Sequence, residues 1–175
     1  LEKDAGKISL KLNNIDDRKK AFKYFGFSTQ EKSFYSRLTV KENIEYFAAL
    51  HDMSKEKIQK KIEEILTLVE LAEESNTIAS ELSQGMKKRL DLACSIIHDP
   101  QILIVDEPTA DLDPDLRQQI WRLIIDLNKK SSKTIIVSSH IPEEIDYACN
   151  RLFILKDKRL IHLPKKQDED KIKLQ

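Results

Sequence analysis

Asp106 and Glu107 are adjacent carboxylates that follow the apolar run Ile102-Leu103-Ile104-Val105 and precede Pro108. Four aliphatic residues in a row suit a strand buried on both faces of a parallel sheet. Such sheets bind ligands outside the carboxyl ends of their strands, which is where both acids would emerge. One acid could then hold a metal while the other orients a nucleophile, the division of labour that phosphoryl transfer to water requires. The plainer alternative is a buried strand followed by solvated acids in a loop.

Other polar residues stand at the ends of predicted elements. Ser83 and Gly85 lie in Leu82-Ser83-Gln84-Gly85-Met86, at the start of an apolar-periodic helix that runs to Ile97. A hydroxyl and a backbone amide at a helix N-terminus form a natural anion site, although the hydroxyl could also simply cap the helix. Asp113 closes Ala110-Asp111-Leu112-Asp113, His140 closes Ser138-Ser139-His140, and Gln30 lies well upstream of them all.

The elements that must position these residues can be read from periodicity and caps. Asp4-Ala5-Gly6-Lys7 reads as a turn, Ile8-Ser9-Leu10-Lys11-Leu12 as a half-exposed antiparallel strand, and residues 22–28 as a further strand. Thr39-Val40-Lys41-Glu42 is a capping box that opens a helix. Ser54 opens another, with Ile58, Ile62, Ile65, Leu66 and Val69 on one face and lysines and glutamates on the other. The second half alternates: a strand at 102–105, a helix from Asp113-Pro114, a strand at 134–137, a helix from Pro142 and a strand at 152–155. Asp before Pro starts a helix well, since the side chain caps and the proline lacks the amide that would go unpaired. The alternation argues for an α/β sheet. Lys87-Lys88-Arg89 reads as a solvated face, and the tail from 164 to 175 as too charged to bury much.

Composition narrows the field. The 175 residues suit one domain with a real core. Thirty basic and thirty acidic residues cancel, so charge argues for no nucleic-acid partner. Cys94 and Cys149 lack metal-ligand spacing and read as core packing in a reducing compartment. No apolar run approaches the roughly 18 residues of a membrane span, and no basic-apolar leader opens the sequence, so a soluble intracellular protein is expected. The sequence has only three glycines and no G-x-x-x-x-G-K-[ST] phosphate cradle.

Taken in order, Gln30, Leu82-Ser83-Gln84-Gly85-Met86, Asp106-Glu107, Ala110-Asp111-Leu112-Asp113 and Ser138-Ser139-His140 resemble the motif set of the ATP-binding-cassette (ABC) ATPases. The resemblance runs from about residue 6 to 163, with 164–175 as a charged tail. Together with Phe47-Ala48-Ala49-Leu50, the wording of the Ser83 motif is most similar to ATPases of drug, lipid or polysaccharide exporters. The resemblance implies an α/β P-loop NTPase fold: an ABC-type nucleotide-binding domain with a helical subdomain at about 35–100 and its N-terminal part missing. It implies ATP and Mg²⁺ as ligands. Asp106 matches the Walker B aspartate that holds Mg²⁺ through water, and Glu107 the base that orients the attacking water. His140 matches the switch histidine that contacts the γ-phosphate, and Gln30 the Q-loop glutamine that reaches the metal and the water. Ser83 and Gly85 match the signature that binds the nucleotide of the opposite subunit, and Asp113 the aspartate that contacts that subunit. Gln84 stands where the family has glycine, which adds a β-carbon where close backbone approach is usual. Asp111 is expected to face water, and His51, His98 and His162 match nothing catalytic.

The family's Walker A loop and adenine-stacking aromatic precede the segment that matches Gly6, so both are expected upstream of residue 1. The strand that carries Walker A is then expected to be missing from beside 102–105, leaving an open apolar edge there. On this reading the complete protein hydrolyses ATP and this chain alone does not. The expected assembly is a head-to-tail pair of nucleotide-binding domains on a separate transmembrane permease subunit, peripheral at the cytoplasmic face of the cell membrane and without nucleic acid. The alternatives are a soluble ABC ATPase with no transport role and a catalytically dead or regulatory subunit.

Overall fold

The structure, a computed structural model, describes residues 21–131 and 133–164. The turn and strand expected at 4–12 and nearly all of the charged tail lie outside the described residues. A parallel sheet is built from β1 (Phe25–Ser28), β2 (Ile102–Asp106) and β3 (Thr134–Ser138), in the order β1-β2-β3. Parallel neighbours need long crossovers. The first contains α1 (Val40–Leu50), α2 (Lys55–Leu68) and α3 (Gln84–Ile96), and the second is α4 (Pro114–Ser131). After β3 come α5 (Pro142–Ala148) and an antiparallel hairpin, β4 (Leu152–Lys156) with β5 (Arg159–Leu163).

The caps read from sequence are present. Thr39 and Glu42 exchange both capping-box bonds, Ser54 accepts from the Lys57 amide, and Ser83 from the Met86 amide. Asp113 Oδ1 accepts from the amides of Asp115 and Leu116 at the start of α4. On α2, Ile58, Ile62, Ile65 and Leu66 are buried, and Val69 just beyond its end joins the same core. The segment before α1 is held by Asn43, fully buried, whose Oδ1 accepts from the Tyr35 amide while Nδ2 donates to the carbonyls of Tyr35, Leu38 and Thr39.

Four expectations need correction. First, β2 is fully buried on one face only: Leu103 and Val105 are sealed, whereas Ile102 and Ile104 are half-buried. Second, β2 has no open edge. It is the middle strand, with Gly26 opposite Leu103 on one side and Ile135 opposite it on the other. Among the described residues the outer strands are β1 and β3, and Ile136 of β3 is 53 % exposed. Third, residues 22–24 form a 3-10 turn, so the strand begins only at Phe25. Fourth, Lys87-Lys88-Arg89 is not a solvated face. Arg89 is buried and donates to the Val69 carbonyl, Glu70 and Gln119, Lys87 reaches the Ser80 carbonyl, and Lys88 is 13 % exposed.

Candidate functional site

The three parallel strands end on the same side, so the residues just after them converge. The register pairs Asp106 with Ser138, and the Ser138 hydroxyl donates to Asp106 Oδ1. Glu107, the next residue, turns out of the strand at φ 46°, in the left-handed region that a side chain with a β-carbon rarely adopts. The turn is held by its surroundings: the Glu107 amide donates to the Ser138 carbonyl at 3.1 Å and lies 3.3 Å from Ser138 Oγ, and the Glu107 carbonyl accepts from the Ala110 amide. The result points the Glu107 carboxylate at His140, with Oε2 and Nδ1 2.8 Å apart.

The loop after Glu107 is pinned from below. Glu144 of α5 accepts from the buried Thr109 hydroxyl at 2.6 Å and from Trp121 Nε1 at 2.8 Å, with Arg117 at 3.9 Å. One carboxylate thus joins the loop bearing Glu107, the helix following His140, and α4. Asp111 is exposed, at φ 60°.

Gln30 lies two residues beyond β1 and is exposed. Gln30, Gln84, Lys88, Asp91 and Glu107 all line one cavity of about 220 Å³. Its floor is charged. Asp91 is 2 % exposed; burial pushes its carboxyl above the usual range, against the Ser28 hydroxyl, Lys88 and Ser33. Burial pulls the Lys88 ammonium below its ordinary value, against the pull of Asp91 and Asp106.

Ser83, Gly85 and Asp113 stand at the adjoining N-termini of α3 and α4, next in the chain to Gln84 and Leu112, which line the same cavity. Gly85 packs against α4 so closely that a β-carbon would stand 2.8 Å from Leu116 Cδ2. Its lack of a side chain is therefore used in helix packing. Gln84 is exposed at the first position of α3, so its β-carbon is accommodated.

The oxygen donors fit a small, hard cation. Asp106, Glu107, the Ser138 hydroxyl and the Gln30 amide oxygen are of the type Mg²⁺ takes, and Mg²⁺ keeps most of its waters. Among the described residues no group of three or more His, Cys, Asp or Glu side chains could hold a metal ion by itself.

The sequence profile of the ABC transporter family matches residues 1–110, well over half of the chain. This chain belongs to the ABC transporter family. Among curated relatives it is 38 % identical over 157 residues to the Nod factor export ATP-binding protein I of Rhizobium sp. (strain N33), covering 89 % of this chain and 51 % of that protein. It is 32 % identical over 149 residues to the linearmycin resistance ATP-binding protein LnrL of Bacillus subtilis (strain 168), covering 85 % and 48 %. The chain thus spans about half the length of these relatives. Its fold resembles that of cbiO1 from Clostridium perfringens, part of the ABC transporter complex cbiONQ, with TM-score 0.80, 26 % identity and coverage of 90 % and 65 %. The α/β architecture is accordingly that of an ABC ATPase.

Within this family frame the structure brings together Asp106, Glu107 and His140, and sets Gln30 on the same cavity as Glu107. Ser138, Thr109, Glu144, Lys88 and Asp91 did not stand out in the sequence. For Ser138 the signal was the strand register opposite Asp106. For Asp91 it was an acid inside the apolar block Leu90-Asp91-Leu92-Ala93. Among the described residues no helix is long and apolar enough to cross a membrane.

Proposed function

We propose that this chain forms the hydrolytic part of an ABC ATPase that binds ATP and drives export of a substrate through a separate membrane subunit. The observation that supports this most is the 2.8 Å contact of Glu107 with His140, beside Asp106 and on the cavity of Gln30. In this reading Glu107 orients the attacking water and takes up its proton, and His140 holds the carboxylate in one direction for that task. With Glu107 acting as the base, His140 would donate from Nδ1 to its carboxylate, which would leave Nε2 for the substrate phosphate. Mg²⁺, when bound, would supply charge neutralisation at the phosphates, and Asp106 and Gln30 are the residues that would hold it.

Ser83, Gly85 and Asp113 would serve the nucleotide of a second nucleotide-binding domain in a head-to-tail pair. Export as the direction is supported by the names of the relatives, a Nod factor export protein and a linearmycin resistance protein. The protein would sit peripherally at the cytoplasmic face of the cell membrane, and the balanced charge supports the absence of a nucleic-acid partner. The 175 residues contain no G-x-x-x-x-G-K-[ST] motif, so hydrolysis is proposed for the full-length protein and not for these residues alone.

The test is Glu107→Gln in the full-length protein. Turnover should fall by about 10²–10⁴-fold, the usual contribution of a general base. An ATP-bound dimer should accumulate in sedimentation. A variant that turns over ATP at the parental rate removes Glu107 as the base. Co-purification with nucleic acid instead of a polytopic membrane protein would replace export with a soluble role.

A further inference from the structure

Gln30 is exposed, yet the backbone on both sides of it is fastened to one face of α3. Upstream, Lys88 Nζ donates to the Thr29 carbonyl at 3.2 Å, and the Ser28 hydroxyl donates to Asp91 Oδ2 at 2.5 Å. Downstream, the Ser33 amide donates to Asp91 Oδ1 at 3.2 Å. Lys88 and Asp91 are one turn apart on α3, and their charges meet at 3.8 Å. The fastened segment is itself compact: Thr29 Oγ1 donates to the Glu31 carbonyl at 2.6 Å and lies 2.9 Å from Ser33 Oγ.

We propose that Lys88 and Asp91 are positioning residues for Gln30, clipping the loop on either side of it and so setting where its amide stands on the cavity it shares with Glu107. The proposal rests on the reading that Gln30 serves the ATP site. The geometry distinguishes it from simple satisfaction of a buried acid. Donors to the Asp91 carboxylate would suffice for that, and Ser28, Ser33 and Lys88 supply them; the Lys88 bond to the Thr29 carbonyl satisfies nothing on the acid and ties down the segment itself. A buried carboxylate and a desolvated ammonium hold position better than exposed ones, because neither can exchange its partners for water without cost. The clip also has a mechanical consequence. The helix that carries it begins at Ser83 and Gly85, so any displacement of α3 moves the Gln30 loop with it.

The experiment is a double-mutant cycle in the full-length protein, with Lys88→Met and Gln30→Ala read by kcat and by the Mg²⁺ concentration giving half-maximal hydrolysis. Methionine keeps the packing of the lysine stem, which avoids the folding risk of cutting Asp91 out of the interior. Lys88→Met should lower kcat about 10- to 100-fold, the effect of misplacing a reacting group by roughly an ångström, and should raise the Mg²⁺ requirement. The double variant should be no slower than Gln30→Ala alone, because a positioning residue has nothing left to position. Effects that multiply overturn the proposal, as does a Lys88→Met enzyme with parental kcat and Mg²⁺ requirement. If the parent protein hydrolyses no ATP, the functional reading fails by itself, and the clip is judged by amide exchange. Faster exchange across residues 29–33 in Lys88→Met, with 102–106 unchanged, supports it; unchanged exchange across 29–33 overturns it.

Discussion

At the scale of single residues, the site depends on a backbone conformation that the side chain resists. Glu107 at φ 46° costs about 1–3 kcal/mol, a strain tolerated only where the surroundings over-determine it. Ser138 does much of that: its carbonyl takes the Glu107 amide, and its hydroxyl binds Asp106. Ser138→Ala should therefore leave the melting temperature close to the parent and lower turnover about tenfold. That corresponds to about 1.5 kcal/mol, the lower end for a hydrogen bond to a charged group, because Asp106 is exposed. A full-length Ser138→Ala enzyme with unchanged kcat and Mg²⁺ dependence would reduce Ser138 to a strand-end residue. Asp106 and Glu107 were legible in the sequence as adjacent acids at the tip of an apolar strand, whereas His140 and Gln30 were legible only through the resemblance to the family's ordered motifs. Ser138 was not, since Ser138 and Ser139 look alike until the register sets one opposite Asp106 and turns the other to the Ile141 amide.

At the scale of elements, the site is positioned by how closely β1 and α4 approach α3. A β-carbon on Gly26 would stand 2.2 Å from the Ser95 carbonyl oxygen, a backbone atom inside α3 that has nowhere to go. On Gly85 it would stand 2.8 Å from Leu116 Cδ2, the far end of a flexible side chain. Gly26→Ala should thus cost about 1–3 kcal/mol or more in urea unfolding, and Gly85→Ala clearly less, as overpacking against a movable group does. The reverse ranking would mean that β1 lifts from α3 more easily than Leu116 turns. Four of the five helices among the described residues were legible because each starts on a side-chain cap, at Thr39, Ser54, Ser83 and Asp113, and α5 was legible from the proline at its first turn. The β4–β5 hairpin was only half seen. Its two-residue turn is Asp157-Lys158, with both residues at positive φ (49° and 61°) and no glycine or asparagine to announce it.

At the scale of the whole molecule, the strand order decides what the sequence could not. Three apolar runs identify strands, but which run lies between the other two follows from crossovers and packing, and the expectation of an open edge on β2 was wrong for that reason. The same order brings the carbonyl of β1 at Phe25 over the end of α3, where it accepts from His98 Nε2 at 2.8 Å. The ring is stacked on His51 with centroids 3.5 Å apart, and its Nδ1 is buried without a hydrogen-bond partner. Burial therefore lowers the His98 pKa from 6.5 to about 4, with His51 and Lys133 adding to the effect and the Phe25 carbonyl and Asp99 opposing it. The folded protein then keeps His98 neutral in a range where the unfolded chain binds a proton. Unfolding takes up that proton, so stability should fall as pH drops from 6.5 towards about 4. His51, also lowered by burial, acts in the same sense, whereas the raised carboxyl of Asp91 acts in the opposite one. The contribution of His98 is isolated by His98→Gln, whose side-chain amide can still donate to the Phe25 carbonyl but does not titrate. Urea midpoints followed down that pH range should fall less steeply for His98→Gln than for the parent. Parallel curves would mean that His98 takes its proton in the folded state as readily as in the unfolded one, and that the stacked pair is open to water.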